Sequence, residues 1–263
     1  MNAESPFLPV ECQPMPPKRI ISLVPSQTEL LFDLGLDEMI VGITKFCVHP
    51  EDKVKPKILV GGTKTLNLDR IRELNPDLII ANKEENTREQ IEELQRHYAV
   101  HVTDMATLPD ALRMIREVGA LVGRAGEANQ LAQRIESSLY ASFRPLGLSV
   151  AYLIWRKPYM VAASNTFIHS MLEVAGFSNA FASQTRYPEI TSDRLRKAQP
   201  DLIFLSSEPY PFGENHREEL RQICPSARVV LVDGEVFSWY GSRLLHASDY
   251  FRNLRNQITE DNS

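Results

Sequence analysis

Residues 68–81 read LDRIRELNPDLIIA, and residues 192–205 read SDRLRKAQPDLIFL. Set against each other at an offset of 124, they agree at seven of fourteen positions: Asp69/Asp193, Arg70/Arg194, Arg72/Arg196, Pro76/Pro200, Asp77/Asp201, Leu78/Leu202 and Ile79/Ile203. Each copy predicts a helix, a turn and a strand. Asn67 and Thr191 precede the copies, and their side-chain oxygens can accept from the free N–H groups of a helix start. Asp69 and Asp193 follow in the first turn, where the helix dipole favours a negative charge. Leu68, Ile71 and Leu74 have the spacing of a buried stripe, with the arginines pointing away from it. Pro76 and Pro200 stop the helix, because proline disfavours the helical conformation in the residue before it. The short apolar runs Leu78–Ala81 and Leu202–Leu205 then read as buried parallel strands. Two copies so far apart predict two similar lobes, since solenoid repeats recur every ~20–50 residues.

Outward from the first copy, strands are predicted at Arg19–Val24, Met39–Ile43, Ile58–Val60 and Val100–Val102, with helices at Thr28–Leu34 and Thr87–His97. Strands and helices alternating at this length predict a parallel sheet covered on both faces. Residues 109–143 break that rhythm and read as helix, interrupted near Gly123. The longer helix after Gly123, of ~18 residues, would span ~27 Å, enough to pass from one lobe to the other. Around the second copy come strands at Ser149–Trp155, Met160–Ala162 and Arg228–Val232, and helices ending at Ala175, at Glu214–Ile223 and at Ser242–Ile258. The fold class is therefore α/β: two Rossmann-like lobes with parallel sheets, joined by a single long helix. The chain divides into a lead-in (1–17), an N-terminal lobe (18–106), a helical linker (107–146), a C-terminal lobe (147–235) and a cleft loop with a last helix (236–263).

A chain of 263 residues with 43% hydrophobic and 24% charged residues suits two α/β lobes with their own cores. A net charge of −5 supplies no basic footprint for nucleic acid. No apolar run approaches the ~18 residues of a membrane span. The first seventeen residues hold no apolar stretch long enough for a signal peptide, which places the chain as written in the cytoplasm, or in the periplasm if a signal has been removed. Cys12, Cys47 and Cys224 match no zinc motif and no disulfide framework. GxGxxG, Walker, GxSxG and HExxH patterns are absent, so no enzyme activity is expected.

RIISLVPSQTELLFDLGL, VGITKFCVHP and the two repeat copies together resemble the ABC-importer solute-binding proteins of the helical-backbone (class III) type. These take up cobalamin, iron–siderophores and haem, and the similarity is nearest the cobalamin-binding branch. It covers residues 18 to about 258. The resemblance implies a binding protein, monomeric and without intrinsic cofactor, that holds cobalamin, haem or a ferric siderophore between rigid lobes. It also implies a permease partner, engaged by an acidic residue on an equivalent helix of each lobe, here Asp69 and Asp193, where the family usually has glutamate. The alternative on the same fold is a cytosolic protein or enzyme handling a corrinoid, haem or metal chelate.

Ligands of open parallel sheets bind beyond the carboxyl ends of the strands. That rule selects the loops Pro25–Gln27, Phe46–His49, Thr63–Thr65, Asn82–Glu85, Trp155–Lys157, Ser206–Tyr210 and Val236–Arg243. From them the candidate ligand residues are Phe46, His49, Lys83, Trp155, Arg156, Trp239, Tyr240 and Arg243. The resemblance adds Tyr187 and supports Phe46 as aromatic contacts, while Thr63 and Asn82 stand where relatives carry tryptophan. Aromatic faces suit a large flat guest, and the Arg156–Lys157 pair suits an anionic group. Cys47-x-His49 is a two-residue metal pairing, too few ligands for a closed site, and no metal site is expected.

Overall fold

The computed structural model describes residues 15–139 and 143–260; most of the predicted lead-in, with Cys12, lies outside them. The N-terminal sheet uses β1 (Ile20–Ser22), β2 (Ile40–Ile43) and β3 (Ile58–Leu59). A separate antiparallel hairpin follows, β4 (Gly61–Gly62) with β5 (Thr65–Leu66), before β6 (Leu78–Asn82) and β7 (Val100–Thr103) complete the sheet. Its order is β3-β2-β1-β6-β7, parallel throughout. Helices α1 (Pro25–Asp33), α2 (Glu51–Val54), α3 (Leu68–Leu74) and α4 (Arg88–Gln95) connect these strands.

Two helices then lie between the lobes, α5 (Leu108–Leu121) and α6 (Ala125–Leu139), packed on each other. The capping box of Thr107 and Asp110 starts α5 against the C-terminal lobe, where the Leu108 N–H donates to Ser170 Oγ at 3.1 Å. Its far end meets the N-terminal lobe, where Arg124 Nε donates to the Leu34 carbonyl at 3.2 Å. Helix α6, the helix expected after Gly123, packs along α11 (Leu244–Glu260) as well as along α5.

The C-terminal sheet holds β8 (Ser149–Trp155), β9 (Tyr159–Val161), β10 (Ser178–Asn179), β11 (Glu189–Ile190), β12 (Leu202–Ser206) and β13 (Arg228–Val232). Here β10, β8, β12 and β13 pair in parallel, and β9 and β11 add an antiparallel edge. The reason is chain length: only Arg156–Pro158 separates β8 from β9, and a parallel crossover needs about a dozen residues. Helices α7 (Phe167–Val174), α8 (Ser192–Ala198), α9 (Glu214–Ile223), α10 (Gly234–Ser238) and α11 (Leu244–Glu260) complete the lobe. The short α10 occupies what the sequence suggested was loop.

Both repeat copies fold alike. Asn67 Oδ1 accepts from the Arg70 N–H at 3.0 Å, and Thr191 Oγ1 accepts from the Arg194 N–H at 3.2 Å. Both helices end on a left-handed residue, Asn75 at φ 42° and Gln199 at φ 46°. Asp77 Oδ2 accepts the Lys18 N–H at 2.8 Å, and Asp201 Oδ2 accepts the Ser149 N–H at 2.7 Å, tying each repeat to the first strand of its lobe. Alternation along the strands builds three cores. Ile21 and Ile79 face an outer N-terminal cluster, and Ile203 and Leu205 an outer C-terminal one. Ile20, Ile80, Leu202 and Phe204 face a third cluster, which runs through α5, α6 and α11 and is shared by both lobes. The two lobes thus share this core and turn their strand carboxyl ends toward one cleft.

Candidate functional site

The cleft is spanned by ion pairs. Arg243, just before α11, donates Nε and Nη2 to Glu29 on α1 at 2.9 and 2.7 Å. Its Nη1 also reaches Glu235 on α10 at 3.0 Å, and its guanidinium lies 4.9 Å over the Trp239 ring. His49, from the loop after β2, meets the same Glu235 carboxylate at 3.0 Å and packs edge-on to Trp239 at 5.5 Å. The lobes approach closely at Gly241, where a Cβ would stand 2.8 Å from the Ser26 carbonyl of the opposite lobe. At the other side of the cleft, Glu84 of the N-terminal lobe forms an ion pair with Arg186 and accepts the Tyr187 hydroxyl at 3.3 Å. Arg186 holds a left-handed φ of 66° to do so.

The offset of 124 carries past the strands into these loops, pairing Asn82 with Ser206 and Glu84 with Glu208. Asn82 Oδ1 accepts the Glu84 and Glu85 N–H groups at 2.8 and 3.2 Å, a side-chain turn that presents both carboxylates. Ser206 Oγ faces the Glu208 N–H at 3.5 Å, and Glu208 Oε1 accepts from Ser238 Oγ at 2.7 Å and Trp239 Nε1 at 2.9 Å. Gly234 leaves room for this, since a Cβ there would lie 2.7 Å from Glu208 Cγ. Burial pushes the Glu85 and Glu208 carboxyls up; the charge of Glu208 also raises Glu85, and the charge of Glu235 raises Glu208. Burial likewise raises Glu29 against the pull of Arg243, and it raises the Tyr187 and Tyr240 phenols.

The structure brings His49, Trp239, Arg243 and, beside Glu84 and Glu85, Tyr187 and Tyr240 to one place. Trp239 and Tyr240 are buried there; Phe46 and Trp155 are exposed, the former under Lys45 and the latter against Tyr210 at 5.6 Å. Lys83 is taken by Asp104 at 2.7 Å, and Arg156 by Glu219 at 2.7 Å, both within their own lobes. Cys47 does not join His49: its thiol is buried in the shared core, 3.1 Å from Thr28 Oγ1, and burial raises its pKa. No group of three or more metal-ligating side chains occurs among the described residues. Asp69 and Asp193 are exposed, each paired at 2.6 Å with the arginine three residues on, Arg72 and Arg196. Glu29, Glu84, Glu85, Glu208, Glu235 and Arg186 were not singled out from the sequence, although extending each copy of the repeat by three residues would have exposed the Glu84/Glu208 match.

Two surface cavities, of about 350 and 740 Å³, open along α6 and α11 and share Gln130, Arg134 and Leu245; the first is also lined by Glu29, Ser242 and Arg243, so it borders the ion pair of the site. Their remaining lining comes from α1, α6 and α11, so the strand-end part of the cleft is placed by topology and by the convergence of side chains.

Two lobes of this topology around one cleft define a bilobal binding protein. Residues 20–223 match the periplasmic binding protein family, and the chain belongs to it. It is similar to the vitamin B12-binding protein of Vibrio cholerae serotype O1, 27% identical over 214 residues, or 78% of this chain and 76% of that one. It is also similar to the uncharacterized ABC transporter substrate-binding lipoprotein YvrC of Bacillus subtilis, 26% identical over 87% of this chain and 77% of that one. Among solved structures, the periplasmic vitamin B12-binding protein BtuF of Vibrio cholerae superposes with a TM-score of 0.77 at 23% identity, covering 93% of this chain and all of that one. A periplasmic haem-binding protein, BhuT with two haems, also reaches 0.77 at 23% identity, over 92% and 99%. The mixed α/β fold with two lobes is common to them. No helix among the described residues is long and apolar enough to cross a membrane.

Proposed function

We propose that this chain is the substrate-binding component of an ABC importer and holds a corrinoid in the cleft between its lobes, without changing it chemically. The observation that carries the reading is the pairing of duplicated strand ends across one cleft, on a chain that the family model matches from residue 20 to 223. The guest would be enclosed by His49, Tyr187, Trp239, Tyr240 and Arg243, with Phe46 and Trp155 as exposed aromatic rims. Lys83 and Arg156 stay at the margin, each engaged by an acid of its own lobe. Asp69 and Asp193, exposed at equivalent helix starts, are the proposed permease contacts, and the receptor works as a monomer of two lobes, 18–106 and 147–235.

Absorbance titration with cobalamin, followed by mass analysis of the recovered ligand, tests this. Saturation at one equivalent with the ligand mass unchanged is expected. A flat titration with cobalamin, haem and a ferric siderophore alike would remove the reading. A cobalamin altered in mass would point instead to a protein that acts on its guest.

A further inference from the structure

The cavity of about 350 Å³ opens where α1 of one lobe, the linking helix α6 and the start of α11 meet. Its charged lining divides into engaged and unengaged groups. Glu29 and Arg243 hold each other across the seam of the lobes. Asp33, Glu127 and Arg134 also line the cavity, and among the described residues they make no ion pair and no side-chain hydrogen bond. Lys53, whose charge Asp33 feels, is itself paired with Asp37 at 2.8 Å. Glu127, Gln130 and Arg134 share one face of α6, with Glu127 and Arg134 two turns, about 10 Å, apart. The bond from Arg124 Nε to the Leu34 carbonyl, at 3.2 Å, sets the end of α1 beside the start of α6. Asp33 and Glu127 therefore stand at the same end of the cavity, and Arg134 stands two turns further along. Ser242 lines the same cavity; it is 3% exposed, and its Oγ has no hydrogen-bond partner. A buried hydroxyl in that state is unfavourable until a partner is supplied, and it can either give or accept the bond.

We infer that this cavity is a second binding site, for a small zwitterion that carries an ammonium at one end of a short chain and a carboxylate at the other. Asp33 and Glu127 accept from the ammonium, and the planar fork of Arg134 receives the carboxylate. Ser242 Oγ supplies a neutral hydrogen bond from the wall. A divalent cation suits the lining less well, since calcium takes about six to eight oxygen ligands. A diamine would set its second ammonium against Arg134, and a dicarboxylate would set one end against Asp33 and Glu127; like charges brought together are disfavoured in both. The site leaves Arg243 on Glu29 and uses none of the aromatic residues of the cleft. It therefore stands independently of the receptor reading.

The test is calorimetric titration of the whole chain with γ-aminobutyrate and ε-aminocaproate, beside putrescine and succinate, which carry one sign of charge at both ends. The wild type is expected to bind at least one of the zwitterions at one equivalent, about tenfold or more tighter than either control. Arg134→Ala should weaken that binding about tenfold or more, and so should Asp33→Asn combined with Glu127→Gln, because each removes a charge-assisted hydrogen bond. All three side chains are exposed, so these variants should melt with the wild type, which circular dichroism checks. Ser242→Ala removes an unpartnered hydroxyl; it should melt no lower than the wild type when free and still lose affinity for the zwitterion. No heat with either zwitterion, a control bound as tightly, or unchanged binding in the folded charge variants overturns the second site. None of those results touches the receptor reading, which the cobalamin titration decides by itself.

Discussion

The two copies of the repeat place equivalent residues in equivalent conformations as far as the last strand residue, and then they part. In the N-terminal lobe Asn82 turns the chain so that Glu84 crosses the cleft to Arg186 and Tyr187. In the C-terminal lobe Ser206 occupies the matching position, yet Glu208 stays within its own lobe, on Ser238 and Trp239. The duplicated part is scaffold: cap, helix, left-handed stop and buried strand. The diverged part begins where the backbone leaves the sheet, so one carboxylate ties the lobes together and its counterpart stays within its own.

The largest effect should come from the surface where the lobes are still alike. Asp69→Arg combined with Asp193→Arg is expected to abolish uptake of labelled cobalamin by cells, and to leave affinity within about twofold because both sites are remote from the cleft. Each single variant should impair uptake to a similar degree, and normal uptake in the double variant would break the equivalence.

Next comes the contrast between pairs that cross the cleft and pairs that do not. Arg243→Ala strips the cation from Glu29 and Glu235, which are mostly shielded from solvent, and should cost about 3–5 kcal/mol in urea unfolding. Arg156→Ala breaks a more exposed, solvent-screened pair within one lobe and should shift the unfolding midpoint far less.

Glu85→Gln sharpens the comparison of strand-end acids. Burial holds the folded-state pKa of Glu85 above its unfolded value, so the folded state binds the proton more tightly; stability is lost as pH rises through the folded value and regained as pH falls. The variant should therefore melt higher than wild type at pH 7, by a few °C at about 2–4 °C per kcal/mol for a chain this long. Its melting temperature should also depend less on pH just above the ordinary carboxylate range. Glu84→Gln, which weakens the bridge to Arg186, should melt lower; calorimetry reads both. The smallest effect is at the caps: Asn67→Ala and Thr191→Ala should each cost about 1 kcal/mol, and unequal values would show that the copies are not energetically matched.

Most of the fold could be read from the chain because its signals are local. A capping side chain, a charge in the first turn, a proline stop and a short apolar run act within a dozen residues, and the offset of 124 between copies extended them to two lobes. The antiparallel edge of the second sheet was not legible, since it depends on how far the three residues after β8 can travel. The site was legible as a set of loops but not as a set of partners. Trp239 and Arg243 stood out by their neighbours in sequence, whereas Glu29 and Glu235 acquire meaning only when the fold places them on opposite sides of Arg243. Cys47 and His49 show the reverse: two residues apart in sequence, one goes to the core and the other to the cleft.

The chain has two tryptophans, and the fold gives them opposite surroundings: Trp155 is 41% exposed against Tyr210, and Trp239 is 7% exposed beneath Arg243. Iodide in solution will therefore quench one emitter and spare the other, and the spared one will emit at the shorter wavelength. With Trp155→Phe, all remaining fluorescence comes from the indole bonded to Glu208, and the molecule becomes an optical gauge of its own interior, needing no added dye.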